Sequence, residues 1–259
     1  MQEVIHGVNT YYEEYGSGND YVLLLHGWGL DSKSMNWIAE QLSDFHVYVF
    51  DLPGFGKSEL INSFDIYDYC DWLHEFCLKY EISFPMIIAH SFGCRIALWY
   101  SYIYGSGKLV LTGAAGIQSR KNRIQKLQEM EYHIIKYIYR LLGMKQKLKQ
   151  LQNAYGSADY RLANSVMKHT LVKVLHNDVC DILSQIEAST IVIMGEKDDQ
   201  TPLWMGKVFE SKMPDCALIV FEKCNHFAYL QQKSRFMRIV KVFLEKGEGH
   251  VYSSTNVEN

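Results

Sequence analysis

No stretch of this 259-residue chain approaches the run of about 18 apolar residues that a membrane-spanning helix needs, so no span is expected. The opening Met1-Gln-Glu-Val-Ile-His-Gly7 has no basic cluster ahead of an apolar core, and no secretory signal is expected there. Charge of one sign is equally scarce. A net charge of −3 gives no global reason to expect nucleic acid or a membrane as partner. The six cysteines (Cys70, Cys77, Cys94, Cys180, Cys216, Cys224) form no CxxC pair and no regular framework, which suits buried thiols in a reducing cytoplasm better than a disulfide scaffold. No histidine pair has metal-ligand spacing, and no internal repeat is visible. What the chain does have is core: 48% hydrophobic and 14% aromatic residues can fill one large α/β domain or two small ones.

Taken in order, residues 3–15 carry β-formers (Val4, Ile5, Val8, Tyr11, Tyr12) around His6-Gly7, the pattern of a hairpin. Tyr21–Leu25 and His46–Phe50 are apolar runs of the kind buried on both faces of a parallel sheet, with a helix expected between them from Asp31 or Ser32 to about Leu42. A helix is expected over 65–80, a strand over 86–89, a helix whose amphipathic pattern begins at Arg95, and a strand over 109–111. This alternation implies a doubly wound, mostly parallel sheet. It stops near Gly116. Residues 117–186 show only helical spacing, broken at Gly156-Ser157, with a second helical segment over 159–176. Strand and helix resume at 190–194, 203–211 and 217–221, and a last helix is expected over 229–246 before a polar, disordered tail from 247 to 259. The expected domains are therefore a core of 1–116 and 187–246 with a helical cap, 117–186, inserted after about the sixth strand. In open sheets ligands sit outside the strands' carboxyl ends, where such an insertion would roof the site.

The chain is organised around Ala89-His-Ser-Phe-Gly93. A strand that breaks at one residue into a helix throws that residue, Ser91, out with a strained backbone and an exposed hydroxyl. The small Ala89 and Gly93 let the two backbones pass; the usual form is G-x-S-x-G, so Ala89 departs from it while keeping the steric requirement. Serine needs a base, and the base an acid. Gly195-Glu-Lys-Asp-Asp and Asn225-His226 each follow a strand, giving the chain order Ser, Asp, His.

With these motifs the sequence resembles the α/β-hydrolase family over roughly 10–116 and 188–246. His26-Gly27-Trp28-Gly29 resembles its oxyanion motif, Asp51-Leu-Pro-Gly-Phe-Gly-Lys-Ser58 its D-x-P-G-x-G-x-S loop, Ala89–Gly93 its nucleophile elbow, Gly195-x-x-Asp198 its acid loop and His226 its base. The resemblance implies Ser91 as nucleophile, His226 as general base and Asp198 as orienting acid, with the backbone N–H groups of Trp28 and Phe92 forming an oxyanion hole. Gly27 and Gly29 let that loop turn inward, His26 braces it, and His90 and Gly93 support the elbow. It implies no metal and no organic cofactor.

Asp199 reads as a solvated loop carboxylate, because the family spacing counts three from Gly195. His90 adjoins the serine on a strained turn and is badly placed to approach its hydroxyl from the side. Cys224 reads as a packing thiol. Gly56-Lys57-Ser58 is not a phosphate loop, because Asp51 stands where that motif needs glycine and no helix opens after Ser58. Residues 117–152 hold nine Lys or Arg against Glu129 and Glu131, a local +7 that leaves about −10 elsewhere. They form either a solvated outer face or one that steers an anionic substrate or touches an anionic surface.

The expectation is a cytoplasmic serine hydrolase with a helical lid, monomer or homodimer, cleaving a small carboxylic ester through an acyl-enzyme. Thioester, carbon–carbon bond, acyl-transfer and lyase chemistry remain open on the same fold, as does a non-catalytic receptor.

Overall fold

The computed structural model describes residues 1–118, 123–155 and 157–245. The tail expected from 247, Lys246, Gly156 of the expected break, and Arg120 and Lys121 of the basic segment lie outside the described residues. The chain opens with the hairpin β1 (Gln2–Ile5) and β2 (Val8–Tyr15), turned at His6-Gly7, both at positive φ (47° and 71°) as a tight hairpin turn demands. β3 (Tyr21–Leu25), β4 (His46–Phe50), β5 (Met86–His90), β6 (Leu109–Thr112), β7 (Thr190–Gly195) and β8 (Cys216–Phe221) complete one sheet in the order β1-β2-β4-β3-β5-β6-β7-β8. Pairing is antiparallel at β1/β2 and β2/β4 and parallel from β4 to β8. This is the mostly parallel α/β sheet that the alternation implies.

Helices α1 (Asn36–Ala39), α2 (Ile66–Lys79) and α3 (Phe92–Tyr104) fall between the early strands. The helical insertion follows the sixth strand, as α4 (Arg123–Leu141), α5 (Lys145–Tyr155), α6 (Ala158–Leu162) and α7 (Ser165–Leu175); α8 (Leu203–Lys212), α9 (Ala228–Gln231) and α10 (Lys233–Glu245) close the fold. Leu23, Leu25, Ile87 and Val192 pack under α2, α3 and α8, while Val22, Leu24, Ile88 and Ile193 pack under α1 and α10. The period-two alternation of each strand feeds two cores, which is why these runs are apolar throughout.

Four expected boundaries move. The helix expected from Asp31 to Leu42 is a 3₁₀ turn over Ser32–Ser34 followed by the short α1, the break falling at Met35 (φ −115°, ψ −16°), whose N–H donates to the Ser32 carbonyl at 2.8 Å, while the Asp51 carboxylate accepts the Ser32 N–H at 2.7 Å at the entry. The helix expected to begin at Arg95 starts at Phe92, directly after the bend, and Arg95 is buried with its guanidinium donating to the Asn177 carbonyl oxygen. The segment 159–176 divides at Ala163, with Asn164 capping α7 by accepting the Met167 N–H at 2.9 Å. The last helix divides at Gln232 (φ −126°, ψ 55°), whose side-chain amide turns inward to donate to the Glu222 carbonyl at 3.2 Å.

Candidate active site

All six strands from β3 to β8 run the same way, so the loops after β3, β4, β5, β7 and β8 share one rim. The chain passes from β3 to β4 on one side and then returns to β5 on the other, which makes the gap between β3 and β5 the switch point where open sheets bind ligands. At that point the loops carrying Gly27 and Ser91 touch: a Cβ on Gly27 would lie 2.9 Å from His90 Cδ2 and 3.3 Å from Ser91 Cβ.

Ser91 has φ 49° and ψ −109°, outside the regions open to L-residues at low energy. Its N–H donates to the Thr112 carbonyl at 3.0 Å and its own carbonyl accepts from Cys94 N–H at 3.0 Å, so strand and helix hold the bend from both sides. Gly93 makes the bend feasible, since a Cβ there would sit 2.3 Å from Leu25 O and 2.8 Å from His26 O. Ala89 lies in β5 with its carbonyl accepting from Cys94 Sγ at 3.2 Å, and its methyl is tolerated.

His226 Nε2 stands 2.9 Å from Ser91 Oγ, and His226 Nδ1 stands 2.8 Å from Asp198 Oδ2. A carboxylate only accepts, so the Nδ1 side carries the proton and Nε2 is left to accept from the serine hydroxyl. His226 and Asp198 are both buried. The other carboxylate oxygen, Asp198 Oδ1, accepts the N–H groups of Gln200 and Thr201, each at 2.9 Å, and Thr201 Oγ1 donates to Oδ2 at 2.7 Å. Burial alone would raise the Asp198 pKa; the hydrogen bonds from His226 and Thr201 outweigh it and hold the carboxyl below its ordinary range. Asp199 is exposed on the same loop. Thr201, which also lies 3.3 Å from His226 Nδ1, went unmarked in the sequence; its place three residues after Asp198 was the only available signal.

The Trp28 and Phe92 N–H groups have no acceptor among the described residues, and their rings meet edge to face at 5.2 Å, with Phe55 against Trp28 at 4.9 Å. His26 is fully buried; its Nδ1 lies 2.7 Å from Gly27 O and its Nε2 accepts from Leu52 N–H at 3.0 Å, tying the loop after β3 to the loop after β4. Gly29, at φ 75°, completes the turn. The loop after β4 folds round the buried Asp51, whose second oxygen accepts Lys57 N–H at 2.8 Å, while Ser58 Oγ accepts Tyr11 N–H at 2.8 Å. Gly56 is needed there, because a Cβ would fall 2.1 Å from Asp51 Oδ2. No helix begins until Ile66, so this is a loop brace and not a phosphate cradle. Cys224 is a buried free thiol, like Cys70, Cys77 and Cys94; Cys180 and Cys216 are free and half-buried.

His90 is buried against His226, ring centroids 4.8 Å apart, with Nδ1 3.1 Å from the Thr112 carbonyl. Burial, and secondarily the neighbouring His226, lowers its pKa to about 3, and burial lowers that of His26 to about 4. An unfolded chain binds a proton on each near pH 6.5. The native state therefore binds fewer protons than the unfolded one below that pH, and stability falls with falling pH until each folded value is reached. Each histidine contributes a slope of about 1.4 kcal/mol per pH unit in that window. Chemical-denaturation midpoints between pH 7 and pH 5 are expected to fall accordingly, and His90→Asn is expected to flatten the slope by roughly one such increment; an unchanged slope would contradict the neutral, buried assignment.

A groove of about 890 Å³ lined by Tyr21, Phe84, Met86, Lys108 and Gln185 lies at the opposite, amino ends of the strands and is lined by no histidine. It is not the candidate site.

The sequence profile described as the alpha/beta hydrolase family matches residues 22–239. The chain belongs to that family. Among its relatives, a 2-hydroxy-6-oxononadienedioate/2-hydroxy-6-oxononatrienedioate hydrolase of Burkholderia vietnamiensis is 27% identical over 274 residues, covering 92% of each chain. A pimeloyl-[acyl-carrier protein] methyl ester esterase of Chromobacterium violaceum is 25% identical over 264 residues, covering 92% of this chain and all but 1% of that one, as its 99% coverage shows. Among solved structures, the esterase EaEST of Exiguobacterium antarcticum superposes with a TM-score of 0.74 at 21% identity, covering 95% of this chain and 100% of that one, a likeness of fold.

Proposed function

We propose that the chain is a serine hydrolase that cleaves a small carboxylic ester through an acyl-enzyme. The observation that carries this reading is the continuous relay from Ser91 Oγ to His226 Nε2 at 2.9 Å and from His226 Nδ1 to Asp198 Oδ2 at 2.8 Å. In this reading His226 takes the hydroxyl proton as Ser91 Oγ attacks the acyl carbonyl, and Asp198 holds the ring and stabilises the imidazolium. The free N–H groups of Trp28 and Phe92 receive the tetrahedral oxyanion, each donor contributing about 3 kcal/mol to the transition state. His226 returns the proton to the leaving alcohol, and water repeats the sequence to release the acid. Thr201 is a positioning residue that keeps the carboxylate aimed.

The helices from 117 to 186 act as a cap on a core of 1–116 and 187–246. In support, α7 reaches the loop after β4: a Cβ on Gly54 would fall 2.2 Å from Met167 Sδ, and Thr170 Oγ1 accepts the Phe64 N–H at 3.1 Å. The free thiols suit the cytoplasm; among the described residues no helix is long and apolar enough to cross a membrane.

A second reading is carbon–carbon bond hydrolysis. It is favoured by the Burkholderia vietnamiensis relative, whose named substrate contains no ester for water to cleave. Turnover of nitrophenyl acyl esters of graded chain length, run beside a 2-hydroxy-6-oxo dienoate, separates the two. Ester turnover with saturation and a chain-length optimum is expected; turnover of the keto acid with negligible ester cleavage would overturn the ester assignment.

A further inference from the structure

The helical insertion carries a surface that the proposed reaction leaves unused. On α4, Met130, Ile134, Tyr137, Ile138 and Leu141 recur at steps of three and four residues, so they share one face. They are 55%, 53%, 67%, 43% and 72% exposed, and Leu142 just beyond is 64% exposed. An ordinary surface helix turns such a stripe towards the core; here the stripe faces outward. From Met130 to Leu141 the strip runs about 17 Å along the helix, a continuous apolar strip and not a scatter of single side chains. Arg140 is exposed beside it, Lys136 is half-buried on the same helix, and Lys145 and Lys147 are exposed at the start of the adjoining α5. Within 130–148 the only acidic residue is Glu131.

We propose that this face docks on an anionic lipid surface, with α4 lying in the headgroup plane, its apolar side chains entering the acyl boundary and its basic residues meeting lipid phosphates and carboxylates. An apolar strip bordered by Arg140, with Lys136 further round the same helix and Lys145 and Lys147 at the start of α5, on a helix too polar to span, is the pattern of an interfacial helix. Charge complementarity separates this occupant from a second copy of the chain, which would bring one cationic helix pair against another of the same sign. The rest of the chain is net negative, so attraction is confined to this face and would orient the protein with α4 down.

The test is co-sedimentation of the full-length protein with vesicles of phosphatidylcholine alone and of phosphatidylcholine mixed with phosphatidylserine. Binding to the mixed vesicles is expected, weakened about tenfold or more by raising salt through the range where surface charge is screened. The double substitution Ile134→Asp with Leu141→Asp is expected to lower that binding by about tenfold or more, because each places a charge in the acyl boundary. Lys136→Glu with Arg140→Glu is expected to remove the preference for phosphatidylserine. Both pairs lie on exposed or half-buried positions, so melting temperatures are expected to stay near wild type, which separates lost docking from lost folding. No binding to mixed vesicles, equal binding to both kinds, or a concentration-dependent dimer abolished by the aspartate pair would each overturn the proposal.

Discussion

Replacing Ser91 with alanine is expected to lower kcat by roughly 10⁴-fold or more while leaving the fold intact. The substitution removes one oxygen. It does not change the backbone, and φ 49° is as unfavourable for serine as for alanine, so the strain at the bend is already present in wild type. What is lost is the atom that stands 2.9 Å from His226 Nε2, and with it, on the proposed mechanism, the covalent intermediate. A fluorophosphonate probe is expected to label wild type and not Ser91→Ala, with both proteins melting within a degree or two of one another. Labelling that persists in the variant would remove the nucleophile assignment, whatever the substrate proves to be.

The next largest effect is expected at Asp198, and its neighbour supplies the control. In Asp198→Asn the side chain keeps its shape and still offers one oxygen to the Gln200 and Thr201 N–H groups. The other oxygen becomes an N–H donor facing His226 Nδ1. The imidazole must then place its proton on Nε2, where it can no longer accept from Ser91, and kcat is expected to drop by about 10⁴-fold. Asp199→Asn alters an exposed carboxylate on the same loop and is expected to change kcat by less than about twofold, as an exposed and well-screened charge should. Equal losses in the two variants would mean that the loop, and not the carboxylate bonded to the histidine, is what matters.

The sheet was open to reading because its strands are short apolar runs alternating with helical patterns: Tyr21–Leu25, His46–Phe50 and Thr190–Met194 fit strands buried on both faces. The helical insertion was open to reading for the complementary reason, a long stretch with no strand period at all. Short helices were not. The residues from Asp31 to Leu42 have a cap and an apolar period, yet the chain tightens into a 3₁₀ turn that closes at Met35, and only four residues beyond it are α-helical. Gly143, at φ 62°, likewise separates α4 from α5 in what periodicity alone runs together.

The order Ser91, Asp198, His226 and the glycines that let backbones pass are written in the chain, because chain order and side-chain volume are local properties. The separation of 135 positions between Ser91 and His226, closed to 2.9 Å, is not local; it depends on parallel strands ending at a common rim. The same holds for Thr201 against Asp198 and for the outward face of α4. Spacing marks a helix face as apolar, but only the packing of every other element decides whether that face is covered or meets solvent.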